Sequence, residues 1–250
     1  MKLLVDIGNT RAKWAVLDHG ELSRGGAAVH RQQQGAGWLA GLESVEGPFE
    51  AILVANVAGP VIAHVLGEWA LARHGLRPDF VQASRAAAGI ENSYEHPQAL
   101  GADRWLSMIA AWRRVAGPVV CIAAGTAMTV DVLDVQGRHT GGLIVPGYDL
   151  MTDSLLGRTS DIAAAAALEA PRPEGMLGRN TAAAIDLGAR HALAALAERV
   201  TAWVKQEGGI MPRVLLGGGD AQRIEPLLDL QVEFVPDLVL EGLAVLAEGA

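Results

Sequence analysis

The 250-residue sequence contains a single cysteine, Cys121, and only 4% aromatic residues. One cysteine excludes an intramolecular disulfide, and its place in an apolar, strand-like run is typical of a protein from a reducing compartment. No run of roughly 18 apolar residues occurs, so we expect no membrane span. Asp6 interrupts the first apolar run too early for a signal peptide. These absences predict a soluble cytoplasmic protein.

Positive charge is also scarce, because 20 lysines and arginines stand against 28 aspartates and glutamates, for a formal net charge of -8. Nucleic-acid binding depends on clustered basic side chains, so this balance argues against a nucleic-acid partner. Three common signatures are absent as well: a Walker-type phosphate loop, a Gly-x-Gly-x-x-Gly dinucleotide fingerprint and a Gly-x-Ser-x-Gly nucleophile elbow. Metal-ligand spacing of histidine and cysteine does not occur either.

The sequence opens on a short apolar run, Lys2 to Ile7, followed by Gly8-Asn9 and a partly alternating stretch from Ala12 to Asp18. This pattern predicts two strands joined by a tight turn. Glycine lacks a Cβ, so a bulky anion can approach the backbone there, and adjacent amides in a turn form an anion-binding concavity. The turn is either a nucleotide-phosphate site or an ordinary β-hairpin, and the local residues favour neither interpretation.

Three polar side chains around this turn suit phosphate chemistry. Thr10 offers a hydroxyl, and Lys13 offers a mobile positive charge that can follow a phosphate. Asp6 suits an anion site only together with a metal. A carboxylate can hold Mg²⁺, directly or through water, and the metal then bridges to the phosphates.

The remaining pattern is that of an α/β protein with an internal duplication. Strands and helices alternate after the first three strands, and a helix is predicted from Pro97 to about Val115. After a break at Gly117-Pro118 the opening pattern recurs, now with Gly125-Thr126 at the turn. We therefore predict two domains, residues 1–117 and 118–250.

Three further stretches carry candidate functional residues, each with a plain structural alternative. Gly101 weakens the predicted helix by about 1 kcal/mol relative to alanine, which suggests close approach by a ligand or partner. Asp103 and Arg104 follow it, about 100° apart on the helix. They either address different parts of one small molecule or face solvent. The triple glycine at 217–219 either packs flat against adenine or ribose or forms a flexible turn. Asn180-Thr181 is by default a helix cap.

Taken together, these motifs resemble the type III pantothenate kinases, a family that includes Bvg accessory factor homologues. The resemblance covers almost the full length. The matching motifs are Asp-Ile-Gly-Asn-Thr-(x)₂-Lys at 6–13, Gly-Ala-Asp-Arg at 101–104, Gly-Thr-Ala-Met-Thr-Val-Asp at 125–131, Gly-Gly-Leu-Ile-Val-Pro-Gly at 141–147, Asn180-Thr181 and Gly217-Gly218-Gly219. The resemblance implies the actin-like ATPase superfamily, an α/β fold of two ribonuclease-H-like domains. Each would have a mixed sheet flanked by helices, with the nucleotide between the domains.

The activity that the resemblance implies is ATP-dependent phosphorylation of pantothenate to 4′-phosphopantothenate, the first step of coenzyme A biosynthesis. Asp103 matches the catalytic aspartate, and Asp6 would act on Mg²⁺ through water. The family is also dimeric, which implies a homodimer. The residues implied in ATP binding are Asp6, Ile7, Gly8, Asn9, Thr10, Arg11, Ala12, Lys13, Thr126, Gly217, Gly218 and Gly219. Those implied in pantothenate binding are Tyr94, Gly101, Ala102, Asp103, Arg104 and Thr181. A contact between Arg104 and the substrate carboxylate is our own inference.

The sequence departs from the family pattern at Ala123. Many members carry an aspartate there, three residues before the threonine of the second phosphate motif, where it binds a monovalent cation. We therefore expect weakened or altered dependence on K⁺ or NH₄⁺. Two alternatives stay open, another actin-like phosphotransferase for a sugar, an acyl phosphate or polyphosphate, and a non-catalytic nucleotide-binding regulatory protein. Tyr94 and the Gly-Ala-Asp-Arg motif favour the pantothenate kinase.

Overall fold

The computed structural model describes residues 1–30, 37–115, 117–168 and 175–249. The strands, in chain order, are β1 (Lys2–Ile7), β2 (Arg11–Asp18), β3 (Glu21–Val29), β4 (Ala51–Asn56), β5 (Asp79–Phe80), β6 (Ala86–Ala87), β7 (Ile90–Glu91), β8 (Val119–Ala124), β9 (Ala127–Leu133), β10 (His139–Pro146), β11 (Arg213–Gly217) and β12 (Glu233–Phe234). The α-helices are α1 (Ala40–Glu43), α2 (Pro60–His74), α3 (Ala102–Arg114), α4 (Tyr148–Arg158), α5 (Ser160–Ala167), α6 (Thr181–Gly208), α7 (Ala221–Ile224) and α8 (Leu238–Glu248), and 3₁₀ helices span Gly37–Leu39, Pro97–Ala99 and Glu225–Leu227.

The chain forms two compact units. The first unit consists of Met1–Gly117, Leu133–Gly141 and Asp237–Ala250, and the second of Pro118–Val132 and Gly142–Pro236. The first unit thus includes α8 at the end of the chain. The domain boundary after residue 117 stays a prediction. Within the described ranges, no helix has the length and apolar character needed to cross a membrane.

Each unit is built on a five-stranded sheet, and the two sheets have the same strand order. The orders are β3-β2-β1-β4-β5 and β10-β9-β8-β11-β12. In the first sheet β2 lies antiparallel to β1 and β3, whereas β4 is parallel to β1 and β5. In the second sheet β11 is parallel to both β8 and β12. The repeated order is the arrangement that the internal duplication in the sequence predicts, with mixed sheets in an α/β fold.

The sheet of the first unit is buried on both faces, which explains the unbroken apolar sequence of β1. Side chains alternate along a strand. Leu3, Val5 and Ile7 therefore join a core with α2, whereas Leu4 joins a second core with α3 and α8. Because Asp6 is two residues beyond Leu4, its side chain lies on the α3 and α8 side of the sheet.

Helices α3 and α8 pack very closely on that side. Every residue from Arg104 to Ala111 in α3 is buried. Gly242 of α8 permits this approach, because a Cβ there would lie 2.1 Å from the backbone oxygen of Leu106. Arg114 adds a two-pronged ion pair, with Nε and Nη2 at 2.6 and 2.7 Å from the carboxylate oxygens of Glu241. The middle and end of α3 are thus held against the beginning of α8, and both helices pack on the sheet.

The second unit repeats this pattern with the long helix α6 as its main cover. Alternate residues of β8 and β9 pack on the buried face of α6, with Val214 and Leu216 of β11 beside them. Helix α6 begins after Asn180, whose side-chain oxygen accepts a hydrogen bond from the amide of Ala183 at 2.7 Å. Gly209, in the left-handed conformation at φ 68°, ends the helix.

Candidate active site

The phosphate turn predicted at the start of the chain is a tight turn between β1 and β2. The amide of Gly8 donates to the carbonyl of Arg11 at 3.0 Å. A Cβ on Gly8 would meet only that carbonyl, at 3.4 Å, which is ordinary van der Waals contact. No steric demand of the described chain therefore requires glycine here, and the space above the turn fits the approach of an external group.

The eight residues predicted to bind phosphate, Asp6 to Lys13, differ in how far their side chains are exposed. Ile7 and Ala12 are fully buried in the core, so only their backbone can contact a ligand. Asn9 and Arg11 are exposed, whereas Thr10 is partly buried. Asp6, Gly8 and Lys13 complete the set. Asp6 and Lys13 are direct partners in the antiparallel β1–β2 pair, so their side chains lie on one face of the sheet.

His30 supports this turn, and sequence analysis did not single it out. Its amide donates to the carbonyl of Thr10 at 3.1 Å, and its Nε2 lies 2.6 Å from the carbonyl oxygen of Gly8. Since a carbonyl only accepts hydrogen bonds, Nε2 carries the proton. The side chain is 6% exposed. His30 thereby fixes both ends of the Gly8–Thr10 segment. A lone histidine at the end of a strand gave no sequence signal for this role.

Three carboxylates and one lysine determine the charge beside the turn. Burial, and next the neighbouring Asp103 carboxylate, raise the pKa of Asp6 to about 7. Lys13 lowers the pKa of Asp6 and Asp237 raises it further, so both of these groups are close by. Lys13 Nζ forms an ion pair with Asp237 at 3.0 Å. Asp237, which lies just before α8, was not predicted as a site residue.

This donor set fits a magnesium ion. A half-buried carboxylate with other carboxylates around it is stabilised when a divalent cation is near. Among the described residues, no three acidic, histidine or cysteine side chains form a complete metal site. Asp6 could hold Mg²⁺, directly or through water, and phosphate oxygens would complete the coordination, which is a common mode for this ion.

Asp103 lies in the first turn of α3, where an anionic side chain is favoured by the helix dipole. Its Oδ1 accepts a hydrogen bond from the amide of Arg104 at 2.8 Å. The prediction that Gly101 lies inside a helix beginning at Pro97 is wrong. The structure has a 3₁₀ turn there and then Gly101 as the N-cap of α3, with extended backbone at φ -57° and ψ 137°.

The missing side chain of Gly101 serves the Asp103 carboxylate itself. A Cβ at Gly101 would lie 2.6 Å from Asp103 Oδ1. The glycine therefore leaves room for this carboxylate to fold back over the start of the helix, where it reaches the amide of Arg104. The sequence suggested that a ligand or partner approaches Gly101 closely, but the group that does so is the side chain of Asp103.

Replacing Gly101 with alanine should displace the Asp103 carboxylate, which the resemblance implies is catalytic, and lower the kcat of the implied kinase reaction by about tenfold or more, because small misplacements of such a group are costly. The folded state should survive, since only the end of a side chain must move. The matched control is Gly67→Ala on α2, where a Cβ would meet nothing within 4 Å. Steady-state kinetics and thermal melts of both variants provide the measurement. Full kcat in Gly101→Ala would mean that the position of this carboxylate is irrelevant to turnover.

The buried Arg104 links Asp103 to Tyr94. Its Nη1 donates to the Tyr94 hydroxyl at 3.0 Å, and the guanidinium carbon lies 5.8 Å from the Tyr94 ring centroid. The same ring stacks on His139, with centroids 5.7 Å apart and planes 21° apart. The alternative that Asp103 and Arg104 both simply face solvent is wrong for Arg104, which is 6% exposed. Tyr94 and residues 101–104 are thus brought together in the first unit.

The loop that carries Tyr94 is fixed by its own hydrogen bonds. Arg85 donates to the carbonyls of Asn92, Tyr94 and Glu95 at 2.9–3.1 Å. Asn92, which is 2% exposed, accepts from the Tyr94 amide and donates to the carbonyl of Pro97. These contacts hold Tyr94 in place before any ligand arrives. Neither residue was predicted, because a single arginine and asparagine in a loop carry no motif.

The second unit repeats the glycine turn. The amide of Gly125 donates to Ala127 at 3.1 Å, and Thr126 is partly buried. The amide of Gly147, just before α4, donates to the Thr126 carbonyl at 3.0 Å. A Cβ on Gly147 would overlap the backbone of Gly125, so this glycine lets α4 begin against the turn.

The triple glycine crosses the end of β8. Gly218 has φ 97°, and a Cβ there would lie 2.1 Å from the Ala124 oxygen, which also accepts from the Asp220 amide at 3.0 Å. Gly219 would meet nothing within 4 Å and remains open to a ligand. Ala123, the position of the usual cation-binding aspartate, is the strand partner of Gly217. Gly218 is therefore required by its own conformation and by its packing on Ala124, and whether the triple glycine contacts a nucleotide stays a prediction.

Thr181 is the first residue of α6, directly after the N-cap Asn180. It belongs to the second unit, whereas the other residues predicted to bind the substrate belong to the first. A polar cluster that the sequence did not indicate follows the triple glycine. Asp220 pairs with Arg223 at 3.0 Å, and the guanidinium carbon of Arg223 lies 4.3 Å from the ring centroid of Tyr148.

Comparison with known proteins identifies the family. The sequence model described as type III pantothenate kinase matches residues 2–203. This chain belongs to the type III pantothenate kinase family. It is 39% identical over 254 residues to the type III pantothenate kinase of Nitrosococcus oceani, covering 99% of this chain and 94% of that one. The corresponding protein of Azoarcus sp. (strain BH72) is 40% identical over 251 residues, covering 99% and 90%.

Solved structures show the fold of this pantothenate kinase family member. A Baf family protein from Campylobacter jejuni superposes with a TM-score of 0.57 at 19% identity, covering 99% of this chain and 98% of that one. The ethanolamine utilization protein EutJ from Carboxydothermus hydrogenoformans gives 0.54 at 14% identity, covering 98% and 89%. At such identities the likeness concerns the fold alone. Together with the two five-stranded sheets, it confirms the predicted α/β fold with mixed sheets flanked by helices.

Proposed function

We infer that this chain is an ATP-dependent pantothenate kinase, which makes 4′-phosphopantothenate in the first step of coenzyme A biosynthesis. Family membership supports the reaction as a whole. The observation that supports particular residues is that Asp103, at the start of α3, lies close enough to Asp6 at the phosphate turn for its charge to raise the pKa of the Asp6 carboxyl. A proton acceptor thus lies beside groups suited to hold a phosphate, as phosphoryl transfer requires.

Asp103 acts as the general base in this proposal. It accepts the proton of the pantothenate hydroxyl as the oxygen attacks the γ-phosphorus of ATP, and the bond to the β–γ bridging oxygen breaks to release ADP. Phosphoryl transfer depends mainly on positioning and charge stabilisation. The room left by Gly101 and the amide of Arg104 keep the Asp103 carboxylate oriented. Tyr94, Gly101, Ala102, Arg104 and Thr181 bind pantothenate, with Arg104 facing its carboxylate.

The phosphates of ATP bind at the two glycine turns, and the triple glycine takes the adenosine. The backbone of residues 7–12 lies along the phosphates, and the hydroxyls of Thr10 and Thr126 and the amine of Lys13 contact phosphate oxygens. Asp6 would hold Mg²⁺ through water. When bound, Mg²⁺ neutralises part of the phosphate charge and orients the transferring group. The open space above Gly8 and Gly219 supports these assignments.

We propose that turnover depends only weakly, or in an altered way, on K⁺ and NH₄⁺, because Ala123 offers no carboxylate to a monovalent cation. The matched variant Ala123→Asp should gain stimulation by K⁺ of several-fold. Rates of ADP release in Na⁺, K⁺ and NH₄⁺ buffers of equal ionic strength measure both effects. The expectation fails if wild-type activity vanishes without K⁺ and returns at a low K⁺ concentration.

We also propose that the protein is a cytoplasmic homodimer. Its single cysteine is a buried free thiol, as suits a reducing compartment. Helix α4 has no fully buried side chain. Large apolar side chains on β10 and α4 are 40–62% exposed, which fits an interface between two copies. These residues are Leu143, Ile144, Leu150, Leu155 and Leu156. Light scattering should give the mass of two chains, and a monomer at micromolar concentration would contradict the proposal.

A panel of phosphate acceptors tests the reaction against the other actin-like phosphotransferases. Purified protein with ATP and Mg²⁺ should release ADP when pantothenate is added, and not with glucose, N-acetylglucosamine or acetate. Release with a sugar but not pantothenate would move the assignment to a different kinase. ATP binding with no acceptor-dependent release would instead favour the regulatory interpretation.

A further inference from the structure

Asp237 occupies a position that neither the motifs nor the family comparison assign. It is the N-cap residue of α8, and its side chain makes no capping hydrogen bond. Its carboxylate lies 3.0 Å from Lys13 Nζ and 3.5 Å from Arg24 Nε. The Asp237 side chain is 18% exposed and that of Lys13 22%, whereas Arg24 is 59% exposed. The pairing of Asp237 with Lys13 is therefore a partly buried contact at the phosphate turn.

This contact changes what Lys13 offers to a nucleotide. The sequence suggested a mobile cation free to follow a phosphate, but the amine already neutralises a carboxylate. For Lys13 to contact a phosphate, its pairing with Asp237 must be shared or exchanged. An incoming phosphate chain then meets a carboxylate that has lost part of its counter-charge. In a partly buried site such repulsion is less screened than in water.

The other carboxylates around the turn act in the same direction. Asp6, the strand partner of Lys13 on the same face of the sheet, and Asp103 in the first turn of α3 add two further acidic side chains. Arg24 is mostly exposed and its charge is largely screened by solvent. A metal-free nucleoside triphosphate thus meets several carboxylates beside the turn, whereas its magnesium complex brings compensating positive charge to the same place.

We propose that Asp237, by forming an ion pair with Lys13, makes the phosphate turn selective for metal-bound nucleoside triphosphate over the metal-free form. This inference rests on the proposed function, since it takes Lys13 as a phosphate ligand. Asp237 acts through Lys13 and through charge, so it is a positioning residue and not a catalytic one. Its effect belongs to nucleotide binding and precedes any transfer.

Calorimetric titration of the intact protein with ATP tests the proposal, once in excess Mg²⁺ and once in EDTA, without pantothenate. In Asp237→Asn, metal-free ATP should bind roughly five- to tenfold more tightly than in the wild type, the effect of removing one nearby charge. Binding of ATP with Mg²⁺ should change by less than about twofold to threefold, because the metal already offsets that charge. The ratio of the two affinities should therefore fall.

Two further variants complete the experiment. Asp237→Glu keeps the charge and should keep the wild-type affinity ratio. Arg24→Gln removes the exposed cation on the same carboxylate and should leave the ratio within about twofold, as exposed pairs contribute little. Equal weakening of both forms of ATP in Asp237→Asn would show that Asp237 only orders Lys13. An unchanged ratio, or no measurable metal-free binding in that variant, would also overturn the proposal. No binding of ATP by the wild type even with Mg²⁺ would instead overturn the proposed function on which it rests.

Discussion

Asp103→Asn should lower the pantothenate-dependent kcat by about 10²- to 10⁴-fold, the usual contribution of a general base. Asparagine keeps the shape of the side chain, and its oxygen can still accept the amide hydrogen bond of Arg104. The packing of α3 should therefore survive. What is lost is a group that takes a proton. ATP binding in Mg²⁺, measured by calorimetry, should stay within a few-fold of the wild type.

The matched control is Asp79→Asn, the same chemical change at an exposed position on β5. It should leave kcat and ATP affinity unchanged. A wild-type rate in Asp103→Asn would remove this carboxylate from the mechanism. Loss of ATP binding together with turnover would point instead to a role in holding the nucleotide.

Asp6→Asn should abolish turnover and at the same time stabilise the ligand-free protein. Loss of the carboxylate removes the group proposed to hold Mg²⁺, and losing one preorganised charge-stabilising group costs about a hundredfold or more in rate. In the ligand-free protein, however, burial and the neighbouring Asp103 carboxylate make the charged form of Asp6 unfavourable. The pKa of Asp6 is therefore raised to about 7. Removing such a charge is a familiar route by which a site variant gains stability and loses function.

The sign of the pH dependence follows from this raised pKa. Between the ordinary value of 3.8 and about 7 the folded protein holds a proton that the unfolded chain has released. Wild-type stability therefore falls as the pH rises through this range, and the neutral variant escapes that loss. The melting temperature of Asp6→Asn should equal the wild-type value near pH 4 and exceed it above pH 7. If the free energy of unfolding of Asp6→Asn exceeds that of the wild type by about 1–2 kcal/mol, its melting temperature should be higher by roughly 2–8 °C for a chain of this size.

Adding ATP with Mg²⁺ should make the wild type melt at a higher temperature than Asp6→Asn, because a ligand that binds only the folded state stabilises it. The wild type should gain melting temperature and the variant should gain much less. Asp79→Asn again controls for the chemical change. A variant that is less stable than the wild type at pH 8 without ligand would show that the Asp6 carboxylate is well satisfied in the ligand-free fold.

The fold was readable from the sequence where local patterns and packing agree. The sequence marks the helix Pro60–His74 at both ends, since proline suits its first turn and Gly75 ends it in the left-handed conformation. Strand β5 is only Asp79–Phe80, because these two residues alone have strand partners in the sheet, although the amide of Val81 still donates to the carbonyl of Val54 at 2.9 Å. Helix α4 was not predicted, as its side chains show no buried stripe.

The parts of the site that short motifs determine, such as the glycine turns, could be predicted from the sequence. The parts formed by contacts between distant segments could not. The turns at Gly8 and Gly125 could be read from glycine followed by threonine, and both form as turns. His30 and Asp237 reach the first turn from 22 and 224 residues away from Gly8 and Lys13, respectively. The residues next to His30 and Asp237 in the sequence form no motif that predicts these contacts. Gly101 was noticed for the right reason, an unexpected lack of a side chain, but the group that needs the space is Asp103.

The most direct test of the central claim is to identify the phosphorylated product. Wild-type protein is incubated with ATP, Mg²⁺ and pantothenate, and the products are analysed by mass spectrometry and phosphorus NMR. The account predicts one new phosphomonoester, on the 4′-hydroxyl of pantothenate, formed in equal amount to ADP and missing with Asp103→Asn. ADP release without a phosphorylated pantothenate, or the same yield from Asp103→Asn, would contradict it.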